Sequence, residues 1–441
     1  MNAYRDLRVA LLGGGSVGAQ VARLLLEQGD ELAARVGARL QLIGIAVRDV
    51  EAPRDVDLPR ELLTTDAEQL VVGADIVIEL MGGIEPARSL ILQSIESGAD
   101  VVTANKALIA AHGPELAEAA EQVGAQLNYE AAVAGAIPII RPLRESLAGD
   151  HITRVMGIVN GSTNYILDRM DRFGDSAEEA MRVASELGYL EADPTLDVEG
   201  YDAAQKATIL ASIAFHTEVP VDAVYREGIT QITLQQIEAA ARAGYVIKLL
   251  AIAERLTTNE GVEGVSARVY PALISRDHPL AAVHGGKNAV FVEAEAAGEL
   301  MFYGAGAGGV ETASAVLGDV VSAARRHVVG GPGIPGSSHA ALPVLAVEDV
   351  LTRYQIMLRV RDQTGVLATI AGLLSQHGVS IASMEQTAPQ VDAEGSEAEG
   401  IVTLVFGTHI AREGDLATTV AALRENDAVT EVTSVLRLEG N

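Results

Sequence analysis

A glycine-rich turn between an apolar strand and an amphipathic helix stands near the start of the chain. Gly13-x-Gly15-x-x-Gly18 directly follows the run Arg8-Val-Ala-Leu-Leu, and apolar residues recur at helical spacing after it. The first glycine of such a turn makes the tight bend, the second lets a pyrophosphate approach the backbone, and the third lets the helix pack on the strand. The helix N-terminus then directs its N–H groups at the phosphates. The pattern predicts a dinucleotide-binding site, with a flexible glycine loop as the alternative, and the residues concerned are Gly13, Gly15, Ser16, Val17 and Gly18.

The first 133 residues alternate between strand-like and helix-like segments. Apolar runs typical of strands are followed by segments with helical periodicity, which favours a parallel sheet with right-handed crossovers. Strands are predicted at 40–47, 74–80 and 101–103, and helices at 66–72 and 86–96. Residues 1–133 are therefore predicted to form an α/β, doubly wound, Rossmann-type nucleotide-binding domain.

Two charged residues follow the second of these strands and bear on the choice of cofactor. An acidic side chain at this point commonly binds the ribose 2′-hydroxyl of NAD, whereas an arginine suits the 2′-phosphate of NADP. The chain has both, as Arg48 and Asp49. Arg48 favours NADP while NAD stays open, and a solvated loop residue is the alternative interpretation of Arg48.

Composition excludes several classes of function. The formal net charge of −28 argues against nucleic acid as a partner, because phosphate binding requires basic surfaces. The absence of cysteine excludes disulfides, thiolate metal sites and a thiol nucleophile. No apolar run reaches the roughly 18 residues that a membrane span requires, and the first residues lack the layout of a signal peptide. A chain of 441 residues is expected to form about three domains and to be cytoplasmic.

Lysine is scarce in this chain, which has four lysines and 28 arginines. An ammonium group can be tuned to transfer a proton and a guanidinium group cannot, so a lysine kept among arginines is a candidate for acid–base chemistry. Lys106 follows an apolar strand-like run, and Lys206 follows an acidic stretch with Asp202 one helical turn before it. Chance survival of surface lysines and an ordinary surface ion pair are the alternatives, and spacing alone does not distinguish them.

The stretch before Lys206 carries the most specific pattern in the chain. It reads Ala184-Ser-Glu-Leu-Gly-Tyr-Leu-Glu-Ala-Asp-Pro-Thr-Leu-Asp-Val-Glu-Gly-Tyr-Asp-Ala-Ala-Gln-Lys206. This pattern resembles the signature of the homoserine dehydrogenase family, with Leu190 in place of the usual small residue. The glycine turn and the segments 103–106, 160–164 and 304–309 resemble further motifs of that family, in the same order. The resemblance covers roughly residues 5–330, of which 134–327 are expected to form an α+β catalytic domain.

The resemblance implies an oxidoreductase that uses NAD(P) to interconvert L-aspartate 4-semialdehyde and L-homoserine. The family acts in threonine, methionine and isoleucine biosynthesis. By the same resemblance Lys206 corresponds to the proton donor, and Lys106 to a second lysine near nicotinamide and substrate. Negative charge develops on the aldehyde oxygen during reduction, and a nearby ammonium group can stabilise it and deliver the proton.

Further site residues are implied by the resemblance. Glu191 and Asp202 correspond to carboxylates that bind the substrate, and Asp197 to one that orients the lysines. Thr103 and Gly306 correspond, with Lys106, to residues of the nucleotide site. The family also has a sodium site built mainly from backbone carbonyl oxygens, which suit a hard cation. The corresponding residues in this chain are Glu130, Val133, Gly135 and Ile137.

Two other functions compete with this interpretation. Aspartate-semialdehyde dehydrogenase shares substrate and cofactor but requires a thiol for its acyl intermediate, and this chain has no cysteine. The second is a nucleotide- and amino-acid-sensing regulator that has lost catalysis. The joint presence of Lys106, Glu191, Asp202 and Lys206 argues against such a regulator and favours an enzyme.

A stretch rich in glycine and proline precedes the final segment of the chain. Residues 328–350 are predicted to be a linker, and 351–441 to form strands and helices in the order βαββαβ, the ferredoxin-like plan. With Arg361-Asp-Gln-Thr-Gly365-Val-Leu, this segment resembles an ACT domain, a module that commonly binds an amino acid at a subunit interface. The resemblance implies feedback by L-threonine, bound by Asp362 and Gly365, and a homodimer or higher homo-oligomer. A purely dimerising module is the alternative.

Overall fold

A computed structural model describes residues 5–54, 56–190, 193–330, 338–387 and 400–440. Its strands are β1 (Arg5–Leu12), β2 (Ala38–Ala46), β3 (Leu63–Thr64), β4 (Ile76–Glu79), β5 (Asp100–Thr103), β6 (Leu127–Asn128), β7 (Ile152–Ile158), β8 (Tyr225–Arg226), β9 (Tyr245–Thr257), β10 (Glu263–Ser275), β11 (Lys287–Ala294), β12 (Gly298–Ala305), β13 (Leu351–Arg361), β14 (Ile381–Thr387), β15 (Ile401–Thr408), β16 (Ala411–Arg412) and β17 (Val429–Glu439). Its α-helices are α1 (Ser16–Glu27), α2 (Gly29–Val36), α3 (Ala67–Val72), α4 (Ala87–Glu96), α5 (Lys106–Val123), α6 (Gly161–Phe173), α7 (Ala177–Glu186), α8 (Thr195–Val198), α9 (Tyr201–Ala214), α10 (Leu234–Arg242), α11 (Gly309–Val329), α12 (Val366–Gln376) and α13 (Glu413–Arg424).

The first domain is built on a parallel sheet of six strands in the order β3-β2-β1-β4-β5-β6. Its central strand is buried on both faces, because Val9 and Leu11 pack with α1, α2 and α11 while Ala10 and Leu12 pack with α3 and α4. The predicted Rossmann-type fold is thus confirmed. In such a sheet, ligands bind beyond the carboxyl ends of the strands where the strand order reverses, which here is between β1 and β4.

Helix α11 brings the chain back to the first domain after the catalytic segment. Its residues Val316 and Val320 are fully buried in the same core as α1. Its first residue, Gly309, lies against the glycine turn, since a Cβ there would be 2.9 Å from the Oγ of Ser16. The end of the catalytic segment therefore forms part of the wall of the nucleotide site.

The second sheet has eleven strands, nine of which follow the order β12-β11-β7-β9-β10-β17-β13-β15-β14. Helices α6, α9 and α10 pack on one face of its first half. The core between them is aliphatic, with Ile209 and Ile237 of the helices against Ile247 and Leu273 of the strands. Aliphatic packing follows from the composition, because only 3% of the residues are aromatic.

The tail forms the second half of this sheet and has the βαββαβ order that the sequence predicted. Along β13 buried and more exposed side chains alternate, as expected for a strand with one face on a core. The ferredoxin-like ACT fold is confirmed. The tail shares its sheet with the catalytic domain, because β17 pairs in parallel with β10, for example at Leu438 and Leu273.

Residues 338–350 of the predicted linker 328–350 lie along the catalytic domain. The N–H group of Val265 on β10 donates to Pro343, and the N–H group of Leu345 donates back to Val265. This part of the segment therefore has main-chain partners on β10. Among all described residues, no helix is long and apolar enough to cross a membrane.

Candidate active site

The glycine turn has the geometry that a dinucleotide requires. Gly13 has a φ of +105°, and a Cβ there would lie 2.7 Å from the main-chain oxygen of Leu80. A Cβ on Gly18 would lie 2.0 Å from the oxygen of Gly13, so α1 can approach the turn only with glycine at this position. Gly15 is the N-cap of α1 and has open space around it. It has no side chain to cap the first N–H groups of α1, which leaves them available for phosphate.

Two arginines follow β2, close in the chain to the strand end beside this turn. Arg48 is exposed in the loop after β2 and makes no hydrogen bond or ion pair within the described part of the chain. The carboxylate of Asp49 accepts the N–H group of Glu51 at 2.9 Å, so it closes a local turn. Arg54 was not anticipated from the sequence, yet its Nε would lie 3.4 Å from a Cβ on Gly14. The loop after β2 therefore carries the exposed Arg48 and the half-buried Arg54 together with an exposed Asp49 that has one carboxylate oxygen engaged in a local turn.

Lys106 begins α5 at the carboxyl edge of the parallel sheet. The preceding loop is held by Thr103, which is fully buried and whose hydroxyl donates to Glu79 at 2.7 Å and accepts the N–H group of Asn105 at 3.0 Å. Glu79 also accepts two main-chain N–H groups of the loop after β4. Glu79 was not predicted from the sequence, although an acid at the end of an apolar strand was a usable signal. Thr103 and Glu79 thus support the loop that positions Lys106.

Both candidate lysines reach the same carboxylate, that of Asp202. Lys206 lies one turn after Asp202 on α9, and its Nζ is 2.6 Å from Oδ2, while the Nζ of Lys106 is 3.0 Å from Oδ1. Lys206 also donates to the main-chain oxygen of Val159 at 2.7 Å. The side chains of Asp202 and Lys206 are about nine-tenths buried, whereas that of Lys106 is 40% exposed. Lys106 of the first domain and Lys206 of the catalytic domain therefore meet at one carboxylate.

Asn160 connects this carboxylate with Asp197. As the N-cap of α6 it accepts the N–H group of Thr163, and its Nδ2 donates to Asp197 at 2.6 Å and to Asp202 at 2.9 Å. Burial raises the pKa of Asp197. Burial also opposes ionisation of Asp202, but the ammonium groups of Lys206 and Lys106, together with hydrogen bonds, hold the pKa of this carboxyl well below its usual range. Asp202 is therefore ionised at neutral pH and offsets one of the two ammonium charges.

A cavity of about 460 Å³ opens onto these groups. Its wall includes Lys106, Asp202, Lys206 and Gly306. Gly306 belongs to the turn before α11, and a Cβ on Gly135 would lie 2.5 Å from its main-chain oxygen, so the two loops are in contact. Glu191 lies outside the described residues. The cavity thus brings together the candidate acid–base groups and the turn that leads to the nucleotide site.

The four residues of the expected sodium site lie in one buried segment after β6, namely Glu130, Val133, Gly135 and Ile137. Both oxygens of the Glu130 carboxylate are engaged by the N–H groups of residues 139–141 and by the Nε of Arg141. Within the residues that the structure describes, no three or more His, Cys, Asp or Glu side chains form a group suited to a metal ion. The chemistry of this segment therefore offers main-chain carbonyl oxygens, rather than free carboxylates, to a cation.

The predicted effector residues lie far from this cavity in the chain, in the loop between β13 and α12. Asp362 and Gly365 are both exposed. Gly365 has a φ of +94° and is the N-cap of α12, so it provides no side chain to the first N–H groups of that helix. The N–H group of Asp362 donates to the main-chain oxygen of Gly400. The loop thus presents one carboxylate next to an uncapped helix N-terminus.

Three protein-family models match this chain. The model of the homoserine dehydrogenase family matches residues 138–321, and that of the homoserine dehydrogenase NAD-binding domain matches residues 13–130. The model of the ACT domain matches residues 354–428. The glycine turn and Lys106 lie in the match to the NAD-binding model, Asp202 and Lys206 in the match to the homoserine dehydrogenase model, and most of the tail in the match to the ACT model.

Whole proteins named homoserine dehydrogenase are similar to the chain over nearly its full length. The Mycobacterium bovis protein is 55% identical over 99% of this chain and 98% of its own, and the Corynebacterium glutamicum protein 53% identical over 98% and 95%. The crystal structure of a homoserine dehydrogenase from Thiobacillus denitrificans matches with a TM-score of 0.89 and 38% identity over 99% of this chain and 98% of its own. A hyperthermophilic archaeal homoserine dehydrogenase, solved with NADPH, matches with a TM-score of 0.60 and 28% identity over 74% of this chain and 99% of its own. The chain is thus more than 50% identical to the Mycobacterium bovis and Corynebacterium glutamicum proteins over nearly the full length of each. Since its fold also places both lysines in one cavity with the turn that leads to the nucleotide site, this chain belongs to the homoserine dehydrogenase family.

Proposed function

We propose that this enzyme reduces L-aspartate 4-semialdehyde to L-homoserine, a step toward threonine, methionine and isoleucine, with Lys206 as the proton donor. The observation that carries the proposal is the pair of ammonium groups on Asp202, at 2.6 and 3.0 Å, in the wall of a cavity that also reaches the turn beside the nucleotide site. A nicotinamide nucleotide, bound by the glycine turn, supplies the hydride that the aldehyde carbon receives.

Lys206 is oriented for proton donation by its two partners. An ammonium group has three N–H donors. Two of those of Lys206 are committed to the oxygen of Val159 and to Asp202. The third is left for the oxygen of the substrate, and the proton passes to it as the carbonyl becomes a hydroxyl.

Lys106 has a supporting electrostatic role in this proposal. Its ammonium group contacts Oδ1 of Asp202, and its side chain is more exposed than that of Lys206. A second cation close to the developing alkoxide lowers the energy of the transition state. Asp202 and Glu191 bind the α-ammonium group of the substrate. Asp197 shares the Nδ2 group of Asn160 with Asp202, and it thereby helps to hold the Asp202 carboxylate and the two lysines in position.

The test of the reaction is steady-state oxidation of NADPH and NADH with L-aspartate 4-semialdehyde. Turnover with formation of L-homoserine supports the proposal. Absence of turnover, in protein that calorimetry shows to bind NADPH, would favour a regulator that senses nucleotide without catalysis.

We further propose that the enzyme prefers NADP. Support comes from Arg48, whose guanidinium group has no partner among the described residues, and from Asp49, whose carboxylate is engaged by the N–H group of Glu51. A bound 2′-phosphate would give Arg48 a charge-assisted hydrogen bond.

Arg48→Ala is expected to lower kcat/KM for NADPH by about tenfold to a hundredfold, since a hydrogen bond to a charged group contributes about 1.5–3 kcal/mol. The value for NADH is expected to change little, because NADH has no 2′-phosphate. The matched control is Arg39→Ala, which removes an exposed arginine at the opposite end of β2 and should leave both values unchanged. Equal losses with the two nucleotides in Arg48→Ala would remove the argument for a phosphate contact.

The tail is proposed to bind L-threonine and thereby to lower turnover. The loop between β13 and α12 combines the Asp362 carboxylate with the uncapped N-terminus of α12. A carboxylate suits the α-ammonium group of an amino acid, and helix N–H groups suit its α-carboxylate. ACT modules usually bind their ligand at an interface between two subunits, so the proposal includes a homodimer.

A path of direct contacts leads from the tail to the active site. Arg437 of β17 donates to both oxygens of Glu227, at 2.9 and 3.0 Å. The main chain after Glu227 lies against α8, because the N–H group of Ile229 donates to Val198 at 2.8 Å and a Cβ on Gly228 would lie 2.3 Å from the same oxygen. Val198 directly follows Asp197 in the chain. A shift of β17 on threonine binding would therefore reach the carboxylates beside the lysines.

Asp362→Ala is expected to raise the threonine concentration for half-maximal inhibition by about tenfold or more, because a charge-assisted contact is lost. Activity without threonine is expected to stay the same. Asp415→Ala, which removes an exposed acid in the first turn of α13, is the matched control and should leave inhibition unchanged. Unaltered inhibition in Asp362→Ala would move the effector site elsewhere. Point substitutions are preferable to truncation, since loss of β17 would leave Arg154 and Arg268 without Glu439.

The segment 130–137 is proposed to hold a sodium ion through the main-chain oxygens of its four expected ligands. Its support is the buried position of the segment and the donor set, which suits a hard cation. Calorimetric titration with sodium chloride, against choline chloride at the same ionic strength, tests for the site. Heat that is the same with both salts would count against it.

A further inference from the structure

Asn288 is a buried side chain in the wall of the active-site cavity, and its amide has no hydrogen-bond partner among the described residues. It lies on β11 opposite Gly304 of β12, and its residue is only 1% exposed. Its Oδ1 is fully buried and without a partner in the described part of the chain, and no bond from its Nδ2 to a described residue is present either. Its position in the cavity wall places this amide beside the proposed reaction site.

The other asparagines of the same region have full sets of partners. Asn160 donates to two carboxylates and accepts from Thr163. Asn164 donates to three main-chain oxygens and accepts from Lys248. A buried polar group without a partner costs free energy, so native structures satisfy nearly all of them. Asn288 therefore differs from its neighbours in a way that a bound ligand would explain.

Glycine residues make room for this amide and hold it in place. A Cβ on Gly306 would lie 2.1 Å from the Cγ and Nδ2 of Asn288, so no larger residue fits there while the amide keeps its position. On the other side, a Cβ on Gly161 would lie 3.4 Å from Oδ1. The amide is thus packed between the turn that leads to the nucleotide site and the first residue of α6.

We propose that Asn288 is a ligand-binding residue whose Oδ1 accepts a hydrogen bond from an N–H group of a molecule bound in the cavity. Two groups can donate this hydrogen bond: the carboxamide of the nicotinamide ring and the α-ammonium group of the amino-acid substrate. A side-chain amide complements a carboxamide, because it can accept from the NH₂ group and donate to the carbonyl oxygen at once. The inference rests on the proposed function, since that function supplies both ligands.

The experiment compares Asn288→Leu, of similar size but unable to form hydrogen bonds, with wild type. Calorimetry without substrate measures the Kd of NADPH and of its reduced 3-acetylpyridine analogue, in which a methyl group replaces the NH₂ group. If Asn288 binds the carboxamide, the variant binds NADPH about tenfold more weakly than wild type does, and its loss of affinity for the analogue is smaller, because the analogue has no NH₂ group for Oδ1 to accept from. If it binds the α-ammonium group, both nucleotide affinities stay unchanged and the KM of the aldehyde substrate rises about tenfold with little change in kcat.

Asn128→Leu is the matched control, because Asn128 is a half-buried amide with an unpartnered Nδ2 that does not line the cavity. A variant Asn288→Leu that matches this control in both nucleotide affinities and in KM would overturn the proposal. Should the leucine variant not fold, Asn288→Ala gives the same comparison, since the ratio of the two nucleotide affinities is measured within one sample. Protein that binds NADPH but lacks turnover would contradict the proposed function and still allow the nucleotide comparison.

Discussion

Lys206→Ala is expected to lower turnover by a factor of about 10² or more, which is the usual contribution of a positioned general acid. The wild-type ammonium group is held by Val159 and Asp202, which leaves one N–H bond for the substrate oxygen. Alanine removes the donor while Lys106 keeps its contact with Asp202. NADPH affinity, measured by calorimetry, is expected to stay near the wild-type value because the glycine turn is unchanged. Steady-state kcat with NADPH and L-aspartate 4-semialdehyde measures the effect.

Lys206→Arg separates proton donation from positive charge. The arginine variant keeps a cation beside Asp202, but a guanidinium group does not readily give up a proton, so its turnover is expected to be as low as that of the alanine variant. Recovery of about a tenth or more of wild-type turnover with arginine would mean that charge alone is sufficient. Wild-type turnover in Lys206→Ala would rule out Lys206 as the donor.

Local patterns were sufficient to predict much of the fold and part of the site. The glycine turn could be recognised because its glycines are required by contacts within one strand–turn–helix unit, as between Gly18 and Gly13. The Asp202–Lys206 pair could be predicted because helical spacing brings residues four positions apart together. The ferredoxin-like tail could be predicted because its strands alternate regularly between buried and exposed positions.

Contacts between distant segments could not be obtained in this way. The approach of Lys106 to Asp202 depends on how α5 of one domain meets α9 of the other, and no spacing encodes that. The pairing of β17 with β10 covers only a few residues and joins segments more than 160 positions apart. Asn288 carries no local pattern, and the position of Glu79 at a strand end does not reveal its hydrogen-bond partners, since both roles depend on surroundings in three dimensions.

A group of charged and phenolic side chains lies where β17 meets β10, at the contact between the tail and the catalytic domain. We call it the junction cluster, and its members are Tyr225, Glu227, Tyr354, Glu413 and Arg437. The side chain of Arg437 is only 8% exposed and that of Glu413 only 5%, and two guanidinium nitrogens donate to one oxygen of Glu413, at 2.9 and 2.6 Å. Burial alone would lower the pKa of Arg437, but Glu413 and Glu227 raise it, so the guanidinium group stays charged. The buried charges of Arg437 and Glu413 therefore depend on each other.

Arg437→Met is expected to lower the free energy of unfolding by about 3–5 kcal/mol, because removing one partner leaves the other charge buried and uncompensated. Methionine fills a similar volume, so the loss reflects charge more than packing. The variant is also expected to show weaker threonine inhibition, since the contact between β17 and Glu227 is broken. Urea unfolding followed by circular dichroism measures the first effect, and inhibition curves measure the second.

Arg359→Met is the matched control for Arg437→Met, because Arg359 of β13 forms an ion pair with Glu431 of β17 in which the side chains are 47% and 54% exposed. An exposed pair of this kind contributes less than about 1 kcal/mol. Adding Glu413→Gln to Arg437→Met should restore part of the lost stability, since glutamine needs no counter-charge. A loss in Arg437→Met no larger than in the control would mean that the junction cluster does not hold the two domains together. Undiminished threonine inhibition in that variant would exclude the path through Glu227 and Val198 to the active site.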